Sequence, residues 1–293
     1  MFKKQNKLIE FFKGFTLMEN ILILVNVLGS IGIFIFAMLT AKNTASSDTA
    51  KKLSTLYACA ALNLVGAVTN TMCWLLIAKK KSSNFMWCIV ACICFGLVAW
   101  SDENNGQVIL NFAWYIPTSI FGFVLWQRYK KQNKKSIIEA TKFKLSLDLT
   151  LVGIIIVCCA VMTYVETLHG FIKFWNPDSK YVDPTVKRDF IFYFKAFCDA
   201  SSLMIAVFAM VLLLMRNRLQ YPLWIGVETL TVFLWIATWV LNGKPSMADS
   251  IQGIWSHTMS VVLDIYGHIQ WNKKKVKKDV IEGHMAIAEQ DLK

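Results

Sequence analysis

The sequence carries no G-x-x-x-x-G-K-[S/T] run, so the glycine-rich loop with which many ATP-driven proteins cradle phosphates is missing. Metal-site spacing is missing too. The eight cysteines (Cys59, Cys73, Cys88, Cys92, Cys94, Cys158, Cys159 and Cys198) all lie inside or at the edges of apolar segments. No His or acidic residue stands at ligand spacing from the tightest group, Cys88, Cys92 and Cys94, so neither zinc nor a disulfide framework is expected. They read as small hydrophobic packing residues. The net charge of +12 forms no continuous basic stripe, which argues against nucleic acid as a partner. A Lys-rich start leads into a full-length apolar run, 21–41, with no small-residue cleavage site behind it, so a removable signal peptide is not expected.

What the chain does have is apolar surface. Of its 293 residues 56% are hydrophobic, against about 45–50% in a soluble domain, and its mean hydropathy is +0.47. A helix needs about 20 apolar residues to cross the hydrocarbon of a bilayer. Eight segments meet or approach that length: 21–41, 55–78, 84–100, 107–126, 147–168, 190–215, 221–241 and 249–271. The expected fold is an all-α membrane protein of eight transmembrane helices. Most of the 31 Lys and Arg fall on the side that holds the N-terminus, which predicts that both termini are cytoplasmic.

The segments repeat. Phe121-Gly122-x-x-x-Trp126-Gln127-Arg128 closes the fourth and Tyr266-Gly267-x-x-x-Trp271-Asn272-Lys273 the eighth. Lys79-Lys80-Lys81 followed by Trp87 matches Arg216-Asn217-Arg218 followed by Trp224. The predicted organisation is a cytoplasmic N-terminus with an extra helix (1–41), a first three-helix repeat (55–126), a linker helix (147–168), a second repeat (190–271) and a basic tail (272–293). An odd linker makes the repeats parallel, related by an axis along the membrane normal. The run 273–278 reads as an anchor at anionic lipid.

Ionisable groups inside hydrocarbon cost about 2.5–3.5 kcal/mol by insertion scales, so each calls for a partner or a task. Lys195 and Asp199 share a face and can neutralise each other, or Asp199 can serve a site. Tyr221, Trp224 and Glu228 also share a face, and a carboxylate beside aromatic rings suits a flat cationic or hydrogen-bonding ligand. His257 and Asp264 share another, fit for a pathway or for hydrogen-bonded packing. In Asn111-Phe112-Ala113-Trp114-Tyr115-Ile116-Pro117-Thr118 the proline frees a carbonyl mid-span and predicts a kink where a ligand can sit. Trp126 and Trp271 read as interfacial belt. The loop 169–189 reads as a lid or as plain connection.

The run 111–128, NFAWYIPTSIFGFVLWQR, resembles the N-x-x-Y-I-P-x-x-x-x-G-x-x-x-W signature of the PnuC family of bacterial vitamin-precursor transporters. Asp199, Met215-Arg216-Asn217-Arg218, Gln220-Tyr221-Pro222-Leu223-Trp224 and Gly267-x-x-x-Trp271 are similar to its second-repeat pattern. The resemblance implies a SWEET-like 3+1+3 core in the bacterial cell membrane, a homotrimer, no cofactor, and facilitated diffusion of nicotinamide riboside trapped inside by phosphorylation. The substrate-binding residues it implies are Asn111, Trp114, Tyr115, Asp199, Tyr221, Trp224, Glu228 and His257. The chain departs from the pattern at Tyr221 (usually Trp), Glu228 (Asn or Asp), Met210 (Gln) and His257 (Tyr). Thiamine, another flat vitamin or a sugar is the alternative cargo. A membrane enzyme or sensor would need a nucleophile or metal motif that the spans do not carry.

Overall fold

A computed structural model describes residues 14–44, 50–101, 105–133, 141, 145–167, 190–242 and 247–290. The loop 169–189 lies outside them. The described chain is helical: α1 (Leu17–Thr44), α2 (Ala50–Ala78), α3 (Asn84–Ser101), α4 (105–133), α5 (Leu145–Thr167), α6 (Phe190–Leu214), α7 (Gln220–Asn242) and α8 (Met247–Gln290). Among the described residues five helices are long and apolar enough to cross a membrane: Leu17–Leu39, Tyr57–Ala78, Gln107–Gln132, Phe190–Leu214 and Gln220–Val240. The apolar parts of α3 and α5, Asn84–Trp100 and Thr150–Val165, are shorter. Gln252, Ser256, His257, Ser260 and Asp264 dilute α8, which also runs on through the basic segment.

Thr16 and Glu19 start α1 as a capping box, in which the Thr16 amide donates to Glu19 Oε2 (2.6 Å) and the Glu19 amide to Thr16 Oγ1 (3.3 Å). α4 is not a uniform helix. Its turns widen to a π-helix over Leu110–Tyr115, where the Ile116 amide reaches back to the Asn111 carbonyl. Pro117 explains this, since a proline lacks the donor and its ring clashes with the preceding turn. Thr118 Oγ1 bonds back to the same turn, donating to Trp114 O at 2.6 Å and lying 3.2 Å from Tyr115 O. The kink expected from the sequence is thus a widened turn.

The α2–α3 and α6–α7 hairpins are built alike. Lys80 (φ 57°) and Arg216 (φ 61°) both take the left-handed conformation that ends a helix. Behind them the Lys81 amide returns to Leu76 O (2.9 Å) and the Asn217 amide to Leu212 O (2.8 Å). This equates Lys80 with Arg216, one residue from the match read in the sequence. Phe85 therefore corresponds to Tyr221, and Trp87 does not correspond to Trp224.

α2 packs on α3 and α3 on α4; α6 packs on α7 and α7 on α8. The two groups meet where α2 touches α8 and where α4 touches α6, while α5 lies against α6. α1 is tied to both groups. Glu19 pairs with Lys79 at the end of α2 (2.8 Å) and accepts from Tyr266 Oη of α8 (3.0 Å). Further along, Asn26 donates to Ala67 O of α2 (3.2 Å) and to Thr71 Oγ1, and accepts from Trp255 Nε1 of α8 (3.1 Å). The helix read as an addition to the core is stitched into it.

Candidate functional site

α7 leaves its hairpin at Gln220, so Trp224 points one turn later into the space shared by both helix groups. There its ring, 5% exposed, stands edge-on to Trp74 of α2 (centroids 5.2 Å, 75°) and tilted to Tyr115 of α4 (6.1 Å, 46°). The widened turn of α4 sets the position of Tyr115 and Trp114. The indole N–H groups of Trp74, Trp114 and Trp224 are buried without hydrogen-bond acceptors among the described residues. The layer thus offers ring faces for stacking and unused donors.

One turn beyond Trp224, buried Glu228 meets His257 of α8, with Nδ1 2.5 Å from Oε2. Sequence reasoning placed both residues on ligand faces without foreseeing that they bond. In the other direction Tyr221, fully buried, packs its ring on Trp271 (5.3 Å, 77°) and His268 (6.2 Å, 72°). It lies one turn away from the Trp224 layer, toward the α7 hairpin. Asn111 is buried and spends its Nδ2 on Gln107 O of its own helix (2.8 Å). Asp199 sits half-buried within α6, its carbonyl accepting from Ser202 Oγ (2.9 Å).

Beneath this layer two tryptophans lock the groups together. Trp126 of α4 donates to Leu214 O at the end of α6 (3.3 Å), and Trp271 of α8 to Ile77 O near the end of α2 (3.0 Å). Trp126 stacks edge-on to Phe85 (5.0 Å, 81°), just as Trp271 does to Tyr221. Gly122 and Gly267 make room: a Cβ on Gly122 would lie 2.5 Å from the Phe85 ring, and one on Gly267 2.4 Å from that of Tyr221. Both tryptophans are at most 1% exposed. They are not the interfacial belt the sequence suggested, because each packs on an aromatic ring of its own group and finds its acceptor in the opposite one.

Sequence reasoning missed Trp74. The only signal was the repeat, which at the corrected register pairs Trp74 with Met210, one of the positions where the chain departs from the family pattern. Open space lies elsewhere: a cavity of about 540 Å³ at the ends of α4 and α6 is bounded by Leu125, Trp126, Arg128, Tyr129 and Arg216. There the Arg216 guanidinium stacks 3.7 Å from the Tyr129 ring.

Comparison with known proteins gives the family and the fold. The sequence pattern of the family described as "Nicotinamide mononucleotide transporter" matches residues 60–273, and the chain belongs to that family. It is 26% identical over 210 residues to the nicotinamide riboside transporter PnuC of Neisseria mucosa, covering 71% of each chain. With the PnuC of Haemophilus influenzae it is 21% identical over 212 residues, covering 72% of this chain and 79% of the relative. A crystal structure of the vitamin B3 transporter PnuC has the same fold, with a TM-score of 0.62 and 23% identity, over 90% of this chain and 94% of that one. The protein is therefore a multi-pass membrane transporter of a bacterial family, and the reading as an enzyme falls.

Proposed function

We propose that the protein carries nicotinamide riboside across the bacterial cell membrane by alternating access. The observation that carries this reading is the Trp224 ring, held between Trp74 and Tyr115 with Glu228 one turn away. A flat pyridinium ring would stack there, and aromatic faces attract a cation by about 0.5–2 kcal/mol each. The name of the family speaks of a mononucleotide and those of the two relatives of a riboside. The buried carboxyl group of Asp264 favours the riboside, whose ring is positive, over a ligand that also carries a doubly charged phosphate. Thiamine, also a flat cation, is the second cargo the same observation allows.

The architecture we propose is eight transmembrane helices in a SWEET-like 3+1+3 core, α2–α4 and α6–α8 joined by α5, with α1 added and both termini cytoplasmic. The like-built hairpins and the two tryptophan locks support parallel repeats that rock around the aromatic layer. Assembly as a homotrimer belongs to the same proposal. Phosphorylation of the riboside inside the cell would trap it.

Calorimetry with purified protein tests the cargo. Nicotinamide riboside should bind, thiamine should compete poorly, and Trp224→Ala should weaken binding about tenfold or more through lost ring contact. Binding of thiamine in place of the riboside would keep the carrier and change its substrate.

A further inference from the structure

Three acidic side chains are buried among the described residues: Glu19, Glu228 and Asp264. Two have protein partners, Glu19 in Lys79, Thr16 and Tyr266, and Glu228 in His257. Asp264 differs. It is fully buried in α8, and neither of its oxygens has a hydrogen-bond partner among the described residues.

Its place in the bundle is specific. α7 and α8 run side by side, with Glu228 opposite His257, and Asp264 follows His257 by two turns, or about 10 Å of helix. That brings it level with Tyr221, with Trp224 at the height between the two acids. Tyr221 and Glu228 of α7 and Cys73 of α2 are its electrostatic neighbours, and His268 stands one turn further along α8. Tyr221 Oη is itself buried and unpartnered. Asp264 thus sits at the α2–α8 contact where the two helix groups meet, a turn to the inner side of the aromatic layer.

A buried carboxyl group without a partner is costly, and such groups inside a membrane bundle serve what passes through it. His257 already answers Glu228, whereas Asp264 has no counter-charge, so its carboxyl group ionises only when a positive group comes beside it. We infer that Asp264 provides the counter-charge for a substrate ring that is permanently cationic, and so restricts the carrier to flat cations. Resting on the transport reading above, this assigns the substrate class at that same site. The positive ring stacks on Trp224 while Asp264 attracts it from the inner side, and Tyr221 Oη is free to donate to the Asp264 carboxylate or to a substrate hydroxyl.

The test compares nicotinamide riboside with its neutral 1,4-dihydro form, which keeps the ribose and the ring size and loses the charge. Binding and uptake into proteoliposomes are measured for both compounds with the native protein, Asp264→Asn and Asp264→Glu. The native protein should prefer the cation by about tenfold or more, the scale of one charge pair at an effective dielectric near 20. Asp264→Asn should lose that preference by weakening the cation alone, and Asp264→Glu should restore it. Equal handling of the two ribosides by the native protein overturns the inference and needs no variant. An equal loss of both in Asp264→Asn also overturns it, because it marks a packing role. If the native protein takes up neither compound, the carrier reading itself fails.

Discussion

Trp224 shows what a single residue reveals in sequence and what it hides. Its aromatic type and its spacing to Glu228 were legible, because one helical face can be read from a period of 3.6. Its partners Trp74 and Tyr115 come from two other helices, and no local pattern encodes that meeting. The same holds for Glu228 and His257, which stand 29 residues apart and yet bond at 2.5 Å. Replacing His257 by Ala strands a buried carboxyl group, which should cost about 1–3 kcal/mol and lower the melting temperature in detergent. The glycines yield a sharper contrast. Gly267→Ala forces a methyl group into the Tyr221 ring and should destabilise by about 1–3 kcal/mol. Gly153→Ala, which meets nothing within 4 Å, should leave melting unchanged or slightly raise it. Equal melting of the two variants would contradict the close approach at Gly267.

At the scale of elements, helix starts were read to within about five residues, because apolar runs of bilayer length are the strongest signal a sequence carries, whereas α8 runs on to Gln290, well past the apolar end read at 271. Two things escaped. The hairpin register was off by one, since three basic residues in a row offer several equivalent matches and only the backbone turn at Lys80 and Arg216 decides among them. The role of Trp126 and Trp271 was misread, because an aromatic beside basic residues at a helix end has the same sequence signature whether it faces lipid or the opposite repeat. The locks they form predict matched behaviour. Trp126→Phe and Trp271→Phe keep the ring and remove the N–H, so each should lose about 1 kcal/mol of contact between the repeats. A thiol reagent applied from the side of these helix ends should then label buried Cys73 faster in both variants. Unchanged labelling in both would show that the locks do not hold the closed state.

For the molecule as a whole, the sequence disclosed an apolar helical membrane protein, and the structure adds how its two helix groups are held. Glu19 and Asn26 of α1 bind α2 and α8 at two heights, so a helix outside the repeats bridges them. No composition or spacing signal predicts this, because each bond joins residues far apart in the chain. Under the proposed rocking, one of these attachments loosens. Glu19→Gln, which weakens the ion pair and keeps the shape, should therefore alter the transport rate more than the affinity for substrate. Passive carriage of a cationic riboside is tested most directly by uptake of labelled nicotinamide riboside into proteoliposomes without ATP or an ion gradient. Saturable entry is expected, which stops at equal concentrations inside and outside and is faster when unlabelled riboside is preloaded. No entry above that of protein-free liposomes, or accumulation beyond equality with no gradient and no kinase inside, would contradict it.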